Sequence, residues 1–160
     1  MQTKKPLQTS SPPKLQAFFS LGFRPLYLAG CAWALLAIAL WIFTPQFIGA
    51  PLSGVAWHAH EMLWGFIATI AVGFLLTASA TWTGINPLKG WPLGVLCLLW
   101  LAARAGYLVG GTVAFQLACL SEAAFFLISA GALARVVHKA KSERNYGLPV
   151  LVIALAGANA

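Results

Sequence analysis

Apolar residues fill long runs with few charges in this chain, divided by polar or Gly/Pro-rich stretches. The runs 26–43, 57–81, 92–109 and 112–137 each come close to the ~20 residues a helix needs to cross about 30 Å of hydrocarbon. They predict four complete transmembrane helices. Between them lie an uncharged loop at 44–56, a turn at 82–91 with the breakers Thr83-Gly84-Ile85-Asn86-Pro87, and the tight turn Gly110-Gly111. Pro92 suits a helix start, where its missing N–H is no loss. A further apolar segment, 148–160, would reach only about 20 Å as a helix, too short to span. It reads as a truncated fifth element, so the remaining helices of a longer protein are expected to be missing. Residues 1–17 are rich in Pro, Lys, Ser and Thr, can bury no core, and are expected to form a disordered cytoplasmic tail. The expected fold class is all-α: a polytopic transmembrane helical bundle whose main partner is the lipid bilayer.

Composition agrees. The chain is 60% hydrophobic and 8% charged, where a soluble domain carries roughly 25% charged residues. Its net charge of +7 does not point to nucleic acid, because no basic stripe alternates with aromatics on a soluble face. The positive charges follow the loops instead. Lys4, Lys5, Lys14 and Arg24 precede the first run, Lys89 lies in the second loop, and Arg135, at the end of the fourth run, is followed by Lys139, Lys141 and Arg144. The first and third loops have neither Lys nor Arg. That alternation predicts a cytoplasmic N-terminus. The first apolar run is longer than the roughly 7–15 residues of a signal-peptide core, so Gly49-Ala50 is not expected to be a cleavage site.

Trp57-His58-Ala59-His60-Glu61-Met62 opens the second run and concentrates the candidate chemistry. It holds two of the chain's three histidines and one of its three acids, groups that are expensive next to hydrocarbon and rarely sit there without a task. Imidazole and thioether are ligand types for haem iron and copper, which makes His58, His60 and Met62 candidate ligands. The spacing is not HExxH, so a zinc protease is excluded. With the N-terminus inside, this segment enters from the outer face. Arg104 then lies about 8 Å from the outer end of the third helix and Glu122 about 15 Å into the fourth. These groups predict one polar site open to the outside, with Arg104 paired to Glu122, Glu61 or an acidic cofactor group. Residues i and i+2 of a helix point to opposite faces, so His58 and His60 are not expected to bind one metal together if both are helical. His58 would share a face with Met62 and Gly65, and His60 with Trp64. His138, on the basic side, reads as a headgroup-facing residue.

The remaining signals are weaker. Cys31, Cys97 and Cys119 fall inside apolar runs without paired spacing, so they read as small buried hydrophobes, with a copper-thiolate role as the alternative. Trp41 and Trp57 are expected at the outer interface, Trp82 and Trp91 at the inner one. Trp33, Trp64 and Trp100 lie deeper and either fill the core or pack against a cofactor. Gly106 and Gly110 form a GxxxG pair, a weak packing signal in a Gly-rich chain.

Several of these pieces together resemble the NnrS family of bacterial membrane proteins. They are Gly22-Phe23-Arg24-Pro25-Leu26, Trp57-His58-Ala59-His60-Glu61-Met62, Gly73-Phe74-Leu75-Leu76-Thr77-Ala78, Trp82-Thr83-Gly84 and Leu99-Trp100-Leu101-Ala102-Ala103-Arg104. They run in order from about Leu21 to Arg104, and residues 112–160 match only in hydropathy. The resemblance implies a multi-pass protein of the bacterial inner membrane that contains haem and copper. It also implies a role in nitric oxide tolerance alongside denitrification, with nitric oxide as a possible ligand; no catalysed reaction is firmly implied. By carry-over, His58 and His60 would be metal ligands. Met62 and Arg104 would join the cofactor site, with Glu61 and Glu122 supporting it. Members of the family are longer, so this chain would supply an N-terminal part. The competing reading is a transporter or permease in which buried Arg104 and Glu122 bind a substrate or relay protons. No span carries a central proline, which argues mildly against it. A product that merely inserts is the third.

Overall fold

The computed structural model describes residues 15–48, 52 and 54–158. Among them all regular structure is helical. Four helices are long and apolar enough to cross a membrane: α1 (Phe23–Phe43), α2 (Gly54–Thr83), α3 (Trp91–Val109) and α4 (Thr112–Lys139). A shorter α5 spans Gly147–Ala158. The all-α membrane bundle implied by the apolar runs is the observed architecture. Most of the polar N-terminal tail, the Gly49-Ala50 pair and the last residues of the short final segment lie outside the described residues. Leu15–Phe18 forms a helical turn.

Local sequence sets the helix ends. Thr44 caps α1, its hydroxyl donating to the Leu40 carbonyl at 3.2 Å, and Pro45 follows. Gly84 closes α2 in the left-handed conformation at φ +70°, which a residue with Cβ adopts only at a cost. Pro92 sits in the first turn of α3. α2 begins at Gly54, earlier than the apolar run alone suggests, because Val55 and Ala56 extend its first turn.

The winding of α2 changes along its length. Gly54–His60 is α-helical, Glu61–Ala68 is a π-helix, and Thr69–Thr83 is α-helical again. Hydrogen bonds from i to i+5 widen the helix, and such segments often lie at functional sites. The Thr69 hydroxyl reinforces this winding by donating to the Trp64 carbonyl, five residues back, at 2.9 Å.

α1 packs along α2, α2 and α3 both pack on α4, and α5 lies against α4. Lipid offers no hydrophobic drive between helices, so small residues and internal polar bonds hold such a bundle together. A Cβ on Gly106 would stand 2.8 Å from both the Ala114 carbonyl and the Ala118 Cβ, so this glycine sets the α3–α4 approach. Leu35, Leu63, Ile67, Phe74, Leu98 and Leu120 are exposed on the outside, as side chains facing acyl chains should be. One end of the bundle is tied by loop bonds: Arg135 to the Pro87 carbonyl at 2.7 Å and Asn86 to the Ser20 carbonyl at 2.9 Å. The polar side chains collect towards the other end.

Candidate functional site

Glu61, Arg104 and Glu122 are almost wholly buried, at 0%, 1% and 2% exposure. Each comes from a different helix: Glu61 opens the π segment of α2, Arg104 lies in the second half of α3, and Glu122 in the first half of α4. Arg104 Nη1 donates to Glu61 Oε2 at 2.7 Å, and its Nη2 pairs with Glu122 Oε1. His60 closes the figure, with Nδ1 3.0 Å from Glu61 Oε1 and Nε2 3.2 Å from Glu122 Oε2. The result is a ring: Glu61, Arg104, Glu122, His60 and back.

Two further donors complete it. Trp33 of α1 donates from Nε1 to Glu61 Oε2 at 2.5 Å. The Tyr107 hydroxyl donates to Glu122 Oε2 at 3.0 Å. Every carboxylate oxygen therefore has at least one partner. A carboxylate oxygen only accepts, so a ring nitrogen that bonds one must donate. With both nitrogens of His60 donating, the charges of His60 and Arg104 balance those of Glu61 and Glu122. Both terminal nitrogens of Arg104 are used, while its buried Nε has no hydrogen-bond partner; a charge-balanced cluster is the form in which charge can persist in a bundle interior. Aromatic faces wall it: His60 stacks on Trp64 at 5.4 Å and 20°, and the Arg104 guanidinium lies 5.2 Å from the Tyr107 ring centre.

Gly65 is the hollow that admits the ring. A Cβ there would meet Arg104 Nη1 at 2.7 Å, Glu61 Oε2 at 2.8 Å and Trp33 Nε1 at 2.9 Å. The first turn of the π segment thus places Glu61 and Gly65 so that α1, α2 and α3 share one polar contact.

His58 lies apart from the ring. Its imidazole stacks on Trp41 of α1, ring centres 4.1 Å apart and planes 14° from parallel. Its Nδ1 is buried and has no hydrogen-bond partner. The same is true of Nε1 of the adjacent Trp57, which is fully buried. The two histidines therefore have different neighbours. Met62 packs half-buried against the hydrophobic core. Among the described residues, no group of three or more His, Cys, Asp or Glu side chains is arranged to hold a metal ion. Cys31 is exposed, not buried, and Cys97 and Cys119 are half-buried.

Sequence reasoning singled out neither Tyr107 as a member of this site nor Trp33 as a donor to it. A signal existed for Tyr107, which follows Arg104 by three residues and so shares its helix face. The deep tryptophans all use their N–H groups: Trp33 on Glu61, Trp64 on the Leu155 carbonyl at 3.2 Å and Trp100 on the Thr69 hydroxyl at 2.8 Å. The exposed His138 and Trp91 lie away from this cluster.

Four membrane-capable helices enclosing a bonded charge cluster define a multi-pass membrane protein. Residues 17–160 match the family described as NnrS protein, and the chain belongs to that family. No curated protein and no solved structure matches it.

Proposed function

We propose that this protein is a haem- and copper-binding protein of the bacterial inner membrane that takes part in the nitric oxide response. The observation that carries this reading is the buried, unpartnered Nδ1 of His58, within the family match over residues 17–160. A buried nitrogen without a partner costs about 1–3 kcal/mol, and a neutral imidazole nitrogen is the commonest metal ligand among side chains. The donor set fits: His58 offers nitrogen and Met62 in the same segment offers a thioether, both ligands of haem iron and copper. Haem iron or copper, when bound, supplies the centre that takes up nitric oxide. The chain's own residues hold and shape that place. Trp41 covers one face of the His58 ring and fixes its plane. Arg104, Glu61 and Glu122 anchor α2, α3 and α4 to one another behind it.

The loop charges orient the bundle with its N-terminus in the cytoplasm and His58 towards the periplasm, where dissolved gas has access. The transport reading has less support, because Arg104 and Glu122 are bonded to each other and to internal partners, and both are covered. An optical spectrum with haem and copper analysis of the purified protein tests the proposal. A Soret band, with copper present, is expected; a colourless protein free of copper would reject it.

A further inference from the structure

We infer that the paired histidines divide their labour: His58 takes the metal through Nδ1, and His60 is a positioning residue that binds none. This rests on the haem and copper reading of the site and assigns the ligand within it.

Two independent observations carry the division. The first is that His60 has both ring nitrogens on carboxylate oxygens, at 3.0 Å from Glu61 and 3.2 Å from Glu122. A metal binds an imidazole nitrogen through a lone pair, and a nitrogen that donates its hydrogen has none to give. Ligation at His60 would detach a buried carboxylate from its donor and open the ring between α2 and α4. The second is that His58 has the opposite condition. Its Nδ1 is buried and unbonded. The stack on Trp41 covers the face of the imidazole, and the Nδ1 lone pair lies in the ring plane, away from that contact.

The winding of α2 explains how neighbours come to differ so much. His58 and His60 end the α-helical turn Gly54–His60, and at i and i+2 they leave the axis on opposite sides. One side meets Trp41 of α1, and the other meets Glu122 and Tyr107. The π segment then starts at Glu61, which lets Glu61 reach back to His60 while also holding Arg104 and Trp33. His60 thus fixes the first carboxylate of the ring and, through it, the turn that presents His58.

The test measures two properties of the purified full chain in parallel: affinity for Cu(I) against a competing chelator, with haemin titrated separately, and thermal stability without metal. His58→Ala is expected to weaken binding of its metal by more than about 100-fold, beyond the roughly 10–100-fold typical of a lost supporting partner. Its metal-free melting temperature should stay near wild type. His60→Gln is expected to change affinity by less than about 100-fold and to lower the metal-free melting temperature clearly. Should His60→Gln not fold, His60→Gln/Glu122→Gln replaces it, since two carboxamides can bond each other. Loss of binding in the folded His60 variant with retention in His58→Ala overturns the division while leaving the haem and copper reading intact. A wild-type chain that binds neither probe overturns both.

Discussion

Gly65→Ala is the sharpest probe of the buried ring, because one added carbon enters its centre. The new Cβ would stand 2.7 Å from Arg104 Nη1, 2.8 Å from Glu61 Oε2 and 2.9 Å from Trp33 Nε1. The two nitrogens both donate to this one oxygen, so none of the three can yield without lengthening a bond to a buried charge. Overpacking of this kind typically costs about 1–3 kcal/mol. Against it stands the usual gain of about 0.5–1 kcal/mol when a helical glycine becomes alanine. Gly131 of α4 supplies the control, since a Cβ there meets nothing within 4 Å. Gly131→Ala should therefore stabilise the protein slightly, while Gly65→Ala destabilises it by roughly 1–2 kcal/mol net. Thermal denaturation of the two variants in the same detergent measures the contrast. Equal melting temperatures would refute the ring as a close-packed element.

Arg104→Leu removes one of the two cationic partners of the glutamates and leaves His60 with both, and breaking a buried ion pair from one side costs about 3–5 kcal/mol. The loss should show as a lower melting temperature, and adding Glu122→Gln should recover part of it. Gly106→Ala presses its Cβ on the Ala114 carbonyl, a backbone atom that cannot rotate away, so it should lower stability more than Gly65→Ala in the same assay. In a cysteine-free background, Gln46→Cys should react with an impermeant thiol reagent from the periplasm and Glu143→Cys only after permeabilisation. The reverse pattern would invert the proposed orientation.

The membrane bundle was legible because apolar runs of spanning length with so few charges have few other uses. The pairing of Arg104 was legible for a related reason, the cost of an unpaired charge beside lipid. The π segment was not, since sequence periodicity tracks apolar faces and does not record whether a carbonyl bonds four or five residues on. The complete burial of Trp57 was not legible, because residue type speaks to membrane depth and not to which neighbours cover a ring. Cys31 was misplaced, because an apolar neighbourhood in sequence is equally compatible with core and with lipid. The separation of His58 from His60 followed from helical geometry alone. Which neighbours each would find did not, because Trp41, Tyr107 and Glu122 come from other helices.

Nitric oxide titrated into the reduced, purified protein, followed in the Soret region, tests the proposed function most directly. With haem iron as the centre held by His58, a saturable spectral shift is expected in the wild type that disappears in His58→Ala and persists in His60→Gln. A wild-type spectrum unchanged by nitric oxide, or the same shift in His58→Ala, would contradict it.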